Sequence, residues 1–235
     1  MQASEFEQVL KAHAGQFHPV VPFAKGDRLL QLDFTGSNTE LTDEISADTN
    51  RFIQYINNKL AAANALYGIG GYGEHRTVYR HSEIFDGKEG EEPRRLHLGT
   101  DIWGKLHTKI MAPLDGIVHS MAFNNAYGDY GATIILTHNL DGVAFYTLYG
   151  HLSLNSLKNL QEGFTVQKGD VFCEFGAPSE NGQWPPHLHF QLIKNLQGMK
   201  GDYPGVCALS DKETFMANCP DPNLILGMME YATQG

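Results

Sequence analysis

Two histidines separated by one residue, His187 and His189, open a run that reads as a β-strand, His189-Phe190-Gln191-Leu192-Ile193. Residues two apart in a strand point to the same face, so the pair presents two imidazoles side by side. His151, in Tyr149-Gly150-His151, lies thirty-six residues before His187, and Asp101, closing His97-Leu98-Gly99-Thr100-Asp101, lies eighty-six before it. A histidine and a carboxylate four apart can converge with a third imidazole and supply the three neutral or anionic ligands of a catalytic zinc, with water in the fourth position.

Further motifs stand in the same order along the chain: Met111-Ala112-Pro113-Leu114-Asp115-Gly116-Ile117-Val118, Tyr149-Gly150-His151-Leu152-Ser153, Val166-Gln167-Lys168-Gly169-Asp170 and Pro186-His187-Leu188-His189-Phe190. The set resembles the LytM/lysostaphin-type M23 metallopeptidases, zinc endopeptidases that cut peptidoglycan cross-bridges, over roughly residues 94 to 195. The resemblance implies one Zn2+ per chain held by His97, Asp101 and His189. It makes His151 and His187 the unliganded catalytic histidines, which orient the attacking water, shuttle its proton and stabilise the oxyanion; their division of labour stays open. There is no H-E-x-x-H and so no glutamate base of that other zinc-protease class. In Gly201-Asp202-Tyr203-Pro204-Gly205-Val206 and Pro220-Asp221-Pro222-Asn223-Leu224 the chain also resembles M23-like modules fused to class III pyridoxal-phosphate aminotransferases, which lack a signal peptide.

The elements that must position these residues are mainly β. Thr133-Ile134-Ile135-Leu136, Val143 to Leu148 and His189 to Ile193 are short apolar runs punctuated by glycine and proline. With the resemblance they imply an antiparallel β-sheet sandwich of the M23/lipoyl-like barrel-sandwich type over 76–235, preceded by a mixed α/β extension over 1–75. In the extension, Glu5 to His13 reads as an amphipathic helix, Leu29 to Phe34 as a strand, and Asp48 to Leu66 as a helix with Phe52, Ile53, Ile56, Leu60 and Ala63 on one face. Gly68-Ile69-Gly70-Gly71-Tyr72-Gly73 fits G-x-G-x-x-G but follows a helix, so it is read as a helix stop and turn rather than a dinucleotide site. The polar loop 86–93 precedes His97, either lining a cleft or idle. Tyr127 to Gly131 and Trp184-Pro185-Pro186 are read with equal weight as cleft walls or plain turns. The tail from Leu196 is expected to be irregular up to a short helix near Leu224 to Tyr231.

The remaining histidines, His13, His18, His75, His81, His107, His119 and His138, have no partner spacing and default to surface or hydrogen-bonded core positions. A formal charge of −10 argues against nucleic acid and anionic membranes as partners. No run is apolar enough to span a bilayer, and Met1 to Glu7 lack the pattern of a signal peptide. Three cysteines without C-x-x-C point to reduced thiols. These features favour the cytoplasm, or the periplasm or cell wall if a leader was removed. The expected partner is a peptide; oligomeric state is open. The expected function is a zinc-dependent peptidase acting on peptidoglycan-type or other small-residue peptides. Its rivals are a cytoplasmic zinc hydrolase of a non-wall amide and a catalytically idle M23-like binding domain. A lipoyl-type carrier is disfavoured because the one lysine between its half-motifs, Lys158, lacks the flanks of a carrier lysine.

Overall fold

The computed structural model describes residues 5–86 and 90–234. The N-terminal region supplies α1 (Glu5–Ala12), β1 (Leu29–Gln31), α2 (Asp43–Ser46), α3 (Thr49–Ala63) and β2 (Tyr67–Gly70). The strands that follow are β3 (Leu96–His97), β4 (Thr100–Trp103), β5 (Lys109–Met111), β6 (Gly116–Asn124), β7 (Gly131–Leu140) and β8 (Val143–Leu152). After α4 (Leu154–Lys158) come β9 (Thr165–Val166), β10 (Val171–Glu174), β11 (His187–Ile193) and β12 (Val206–Cys207), then α5 (Lys212–Asn218), α6 (Asn223–Leu226) and β13 (Ala232–Gln234). Nine strands form one sheet in the order β13-β1-β2-β4-β11-β8-β7-β6-β9, and two short antiparallel pairs, β10 with β5 and β12 with β3, flank it. The fold is mainly β and antiparallel-rich, as read from the sequence, and the large sheet does not close into a barrel.

Strand parity divides the molecule. In β11 the alternate residues Leu188, Phe190 and Leu192 are fully buried in the main core with Ile102, Ile134, Phe145 and Tyr149. Their neighbours His187, His189 and Gln191 therefore face the other side of the sheet, the side carrying Trp103 and Leu148. The two inner strands β7 and β8 are long and paired along most of their length, which fixes this register. Slipping it by one residue would exchange core and site faces.

Several sequence expectations meet a different structure. The helix expected from Asp48 to Leu66 stops at Asn64, whose left-handed backbone (φ +48°) caps α3. Tyr67 to Gly70 then form a strand between β1 and β4 instead of a turn. A Cβ at Gly68 would sit 2.5 Å from Leu32 Cδ1, so the strand runs close against that leucine where a helix stop was expected. The strand expected to reach Phe34 ends at Gln31. The tail holds an unanticipated helix, α5, in its longest stretch free of glycine and proline. Asp86 and residues 90–93 of the polar loop are exposed; 87–89 fall outside the described residues.

One histidine read as unremarkable is a buried tie between strands. His138 donates from Nδ1 to the Asp115 carbonyl at 2.8 Å and meets the Thr147 hydroxyl at 2.7 Å with Nε2. Burial holds its pKa down to about 4. Between pH 4 and 6.5 the unfolded chain binds a proton here that the folded chain refuses, so stability falls as the pH drops through this window. The cost at the acid end is on the order of 3 kcal/mol. Denaturant titrations at pH 7 and pH 4 are expected to show the wild type losing more stability than His138→Gln by about that amount.

Candidate metal centre

His97 ends β3, Asp101 lies in β4 and His189 in β11, where it pairs directly with Asp101. Their donor atoms converge: His97 Nε2 is 2.9 Å from His189 Nδ1 and 3.3 Å from Asp101 Oδ1, and His189 Nδ1 is 3.0 Å from the same carboxylate oxygen. All three residues are at most 2 % exposed. The outer ring nitrogens set the tautomers. His97 Nδ1 faces the Gly71 carbonyl at 3.0 Å and so carries the hydrogen. His189 Nε2 faces Gln191 Oε1 at 2.8 Å, and that amide is oriented by its own donation to the Pro204 carbonyl. Both inner nitrogens are thus bare lone pairs, beside a carboxylate that is ionised. Three lone pairs within about 3 Å of each other, with no hydrogen between them, fit a cation. A tetrahedral ion with bonds of ~2.0–2.2 Å would need donor separations of about 3.4 Å, close to those found.

The carboxylate is held from behind. Arg76 Nη1 bonds Asp101 Oδ2 at 2.5 Å while Arg76 Nε bonds Glu74 at 2.7 Å, and the guanidinium lies over Phe34, Tyr79 and Trp103. Burial alone would raise the Asp101 pKa; His97 and Arg76 beside it hold it well below the usual carboxylate range. Burial, with Arg76 adding to it, lowers the His97 imidazole to about 3, so the ring is neutral at pH 7. Gly99 lets the His189 ring lie flat beneath it: a Cβ there would stand 2.5 Å from His189 Cε1 and 2.9 Å from the Phe190 carbonyl.

His151 and His187 stack with ring centroids 4.0 Å apart, beside the three converging residues. His187 arrives by strand parity. His151 does not, since Tyr149 and Leu152 both point into the main core. A register shift in β7–β8 and a left-handed backbone at His151 (φ +63°) turn it to the site, with its N–H on the Tyr130 carbonyl. Each ring donates from Nδ1 to a carbonyl, His151 to Asn181 at 2.8 Å and His187 to Pro185 at 2.7 Å. That leaves each Nε2 as an acceptor, with no protein hydrogen bond among the described residues. Burial lowers His187 to about 4 and His151 well below its ordinary value, so both are neutral at pH 7.

All five residues line one cavity of about 260 Å³, together with Gly128, Asp129, Tyr130 and Trp184 from the two turns. None of the described residues of the loop 86–93 lines it. Sequence reading missed Arg76 and Gln191. Gln191 was within reach, two residues beyond His189 on the same strand face; Arg76 carries no sequence signal.

A mainly β fold with a buried His–Asp–His group beside two neutral histidines defines the class: a metallohydrolase-type site that can hold a metal. Residues 95–200 match Peptidase family M23. The chain is 27% identical over 140 residues to the L-Ala–D-Glu endopeptidase of Bacillus subtilis, covering 55% of this chain and 41% of that protein. It is 33% identical over 101 residues to a Haemophilus influenzae protein described as an uncharacterized metalloprotease, covering 43% and 19%. The chain thus spans less than half the length of either relative. Among solved structures it is similar to a zinc-containing peptidase from Vibrio cholerae (26% identity, TM-score 0.34, covering 42% of this chain and 27% of that one). Another is the catalytic domain of lysostaphin from Staphylococcus simulans (24%, TM-score 0.41, 69% and 96%). No helix among the described residues is long and apolar enough to cross a membrane.

Gln191→Leu removes the acceptor that fixes the His189 ring and is expected to weaken zinc binding about 10–100-fold. Gln191→Glu keeps an acceptor and is expected to bind within a few-fold of wild type. Competition with a chromophoric chelator measures both.

Proposed function

We propose that this protein is a zinc-dependent peptidase that hydrolyses amide bonds of peptidoglycan-type or other small-residue peptides. The observation that carries the reading is the convergence of three proton-free donors, His97 Nε2, Asp101 Oδ1 and His189 Nδ1. Two imidazoles and one carboxylate are the ligand set of a catalytic zinc with an open fourth position. When bound there, zinc supplies Lewis acidity and brings the pKa of a coordinated water to about 7.

The chain's own groups do the rest. Arg76 holds Asp101 Oδ2 and leaves Oδ1 for the metal. His151 and His187, kept neutral by burial, offer two Nε2 lone pairs to the attacking water and accept its proton. Once protonated, either ring becomes a donor toward the oxyanion and then toward the leaving amine. The carbonyls of Asn181 and Pro185 stay on Nδ1 throughout, and an imidazolium so held is favoured by those acceptors. Trp103, stacked on His187 with centroids 5.6 Å apart, fixes the plane of that ring.

The test is metal content by elemental analysis of wild type, His189→Ala and Asp101→Ala, with hydrolysis of small-residue peptides assayed in parallel. The expected result is about one zinc per wild-type chain, lost in both variants together with activity. A wild-type protein that takes up no zinc when supplied with it overturns the reading. His187→Ala is expected to keep its zinc while losing about 10²–10⁴-fold in kcat, the scale of a positioned acid–base group.

A further inference from the structure

The cavity over the donor atoms has walls from two parts of the chain. One wall is the His97, Asp101, His189, His151 and His187 group. A second part of the lining is aromatic and comes from outside residues 95–200: Phe34 and Phe52, 5.5 Å apart between centroids, with Tyr79 and Phe85 in contact at 4.5 Å. These four side chains are buried. The lining residues that reach solvent are Ile84, Arg94, Asp129, Trp184, Met199 and Asp202, with Pro204 beside them. All but Met199 are tied together. Arg94 bonds the Ile84 carbonyl and acts electrostatically on both Asp129 and Asp202, and Trp184 donates to the Gly128 carbonyl at 3.0 Å, next to Asp129. Among the described lining residues these are the ones that reach solvent, while the donor residues are buried.

The rim carries two carboxylates and one guanidinium. Arg94 can balance one carboxylate only, and it is already held over the Phe85 ring at 5.7 Å. One negative charge is left over, half-buried, at the entrance to a space of about 260 Å³. Desolvation pushes both the Asp129 and Asp202 carboxyls upward, which a cationic guest would reverse. The volume lies just below the ~300 Å³ at which ordinary ligand pockets begin, so the guest is a short peptide with small side chains.

Resting on the peptidase reading above, we propose that the site takes one end of a short peptide rather than a chain running through it, and that Asp129 and Asp202 receive an ammonium group at the peptide's outer end. The aromatic part of the lining comes from before residue 95, which gives the N-terminal region a share in limiting the size of the guest. A long chain capped at both ends has no ammonium for these carboxylates, and the small volume of the cavity disfavours it.

The experiment compares three probes on the zinc-loaded full chain: triglycine, N-acetyl-triglycine and a long glycine-rich peptide capped at both ends. Triglycine is expected to exceed both others in kcat/KM by at least about tenfold, the scale of one charge-assisted hydrogen bond. In the double variant Asp129→Asn, Asp202→Asn the ratio of triglycine to N-acetyl-triglycine is expected to fall by about the same factor. Equal turnover of capped and free peptides by wild type overturns the proposal, and this comparison needs no variant to fold. If none of the three is hydrolysed, amide hydrolysis is the reading that has failed. Calorimetric binding of the same peptides then decides the pocket: tighter binding of triglycine than of its acetylated form upholds it, and equal or absent binding overturns it.

Discussion

Everything at the site depends on the register of β11 between β4 and β8. Because the side-chain period of a strand is two, the alignment that buries Leu188, Phe190 and Leu192 also fixes which face His187, His189 and Gln191 occupy. Each of these apolar side chains contributes about 1.5–3 kcal/mol by leaving water, and a slipped strand would forfeit all of them together. Asp101 is then placed by pairing, since it stands directly opposite His189. Arg76 and Gln191 then fix the carboxylate and the His189 ring within positions that the sheet has already set. Those positions follow from core packing, with the glycine at position 99 as clearance for the His189 ring.

Within that frame the electrostatics are incomplete on their own. Asp101 and Glu74 share one guanidinium, so the buried group keeps a negative charge in surroundings where unpaired charge is costly. Two bare imidazole nitrogens point at the same spot and add lone-pair repulsion. Such an arrangement persists because strand packing over-determines it, and it is the arrangement a divalent cation would relieve. Arg76 has a second effect: its charge sits behind the carboxylate and opposes protonation of both nearby histidines.

What the sequence revealed follows from which interactions are local. The HxH pair, the H-x-x-x-D spacing and the β-runs were legible because strand periodicity is written into neighbouring residues. His151 was found through resemblance; its orientation depends on a positive φ and a register shift that no periodicity announces. Gly68 to Gly73 was read as a turn because glycines in sequence look alike. Only the nearness of Leu32, thirty-six positions away, explains why Gly68 and Gly70 belong to a strand. Arg76, Phe34 and Phe52 reach the cavity through tertiary packing alone, so nothing in their flanks could have marked them.

The three parallel strands at one side of the sheet have a further consequence. β1 pairs with β2 on one side and with β13 on the other, so Leu29 lies against Ala232. Parallel pairing across so much intervening chain is a contact of very high order, and its loop-closure entropy must be met before the contact returns anything. The antiparallel hairpin β7–β8 bears no such cost. The donor residues do not share that advantage: Asp101 meets His189 across 88 residues and His97 meets Val206 across 109, so both parts of the cavity lining wait on distant pairing and neither is finished by a local hairpin.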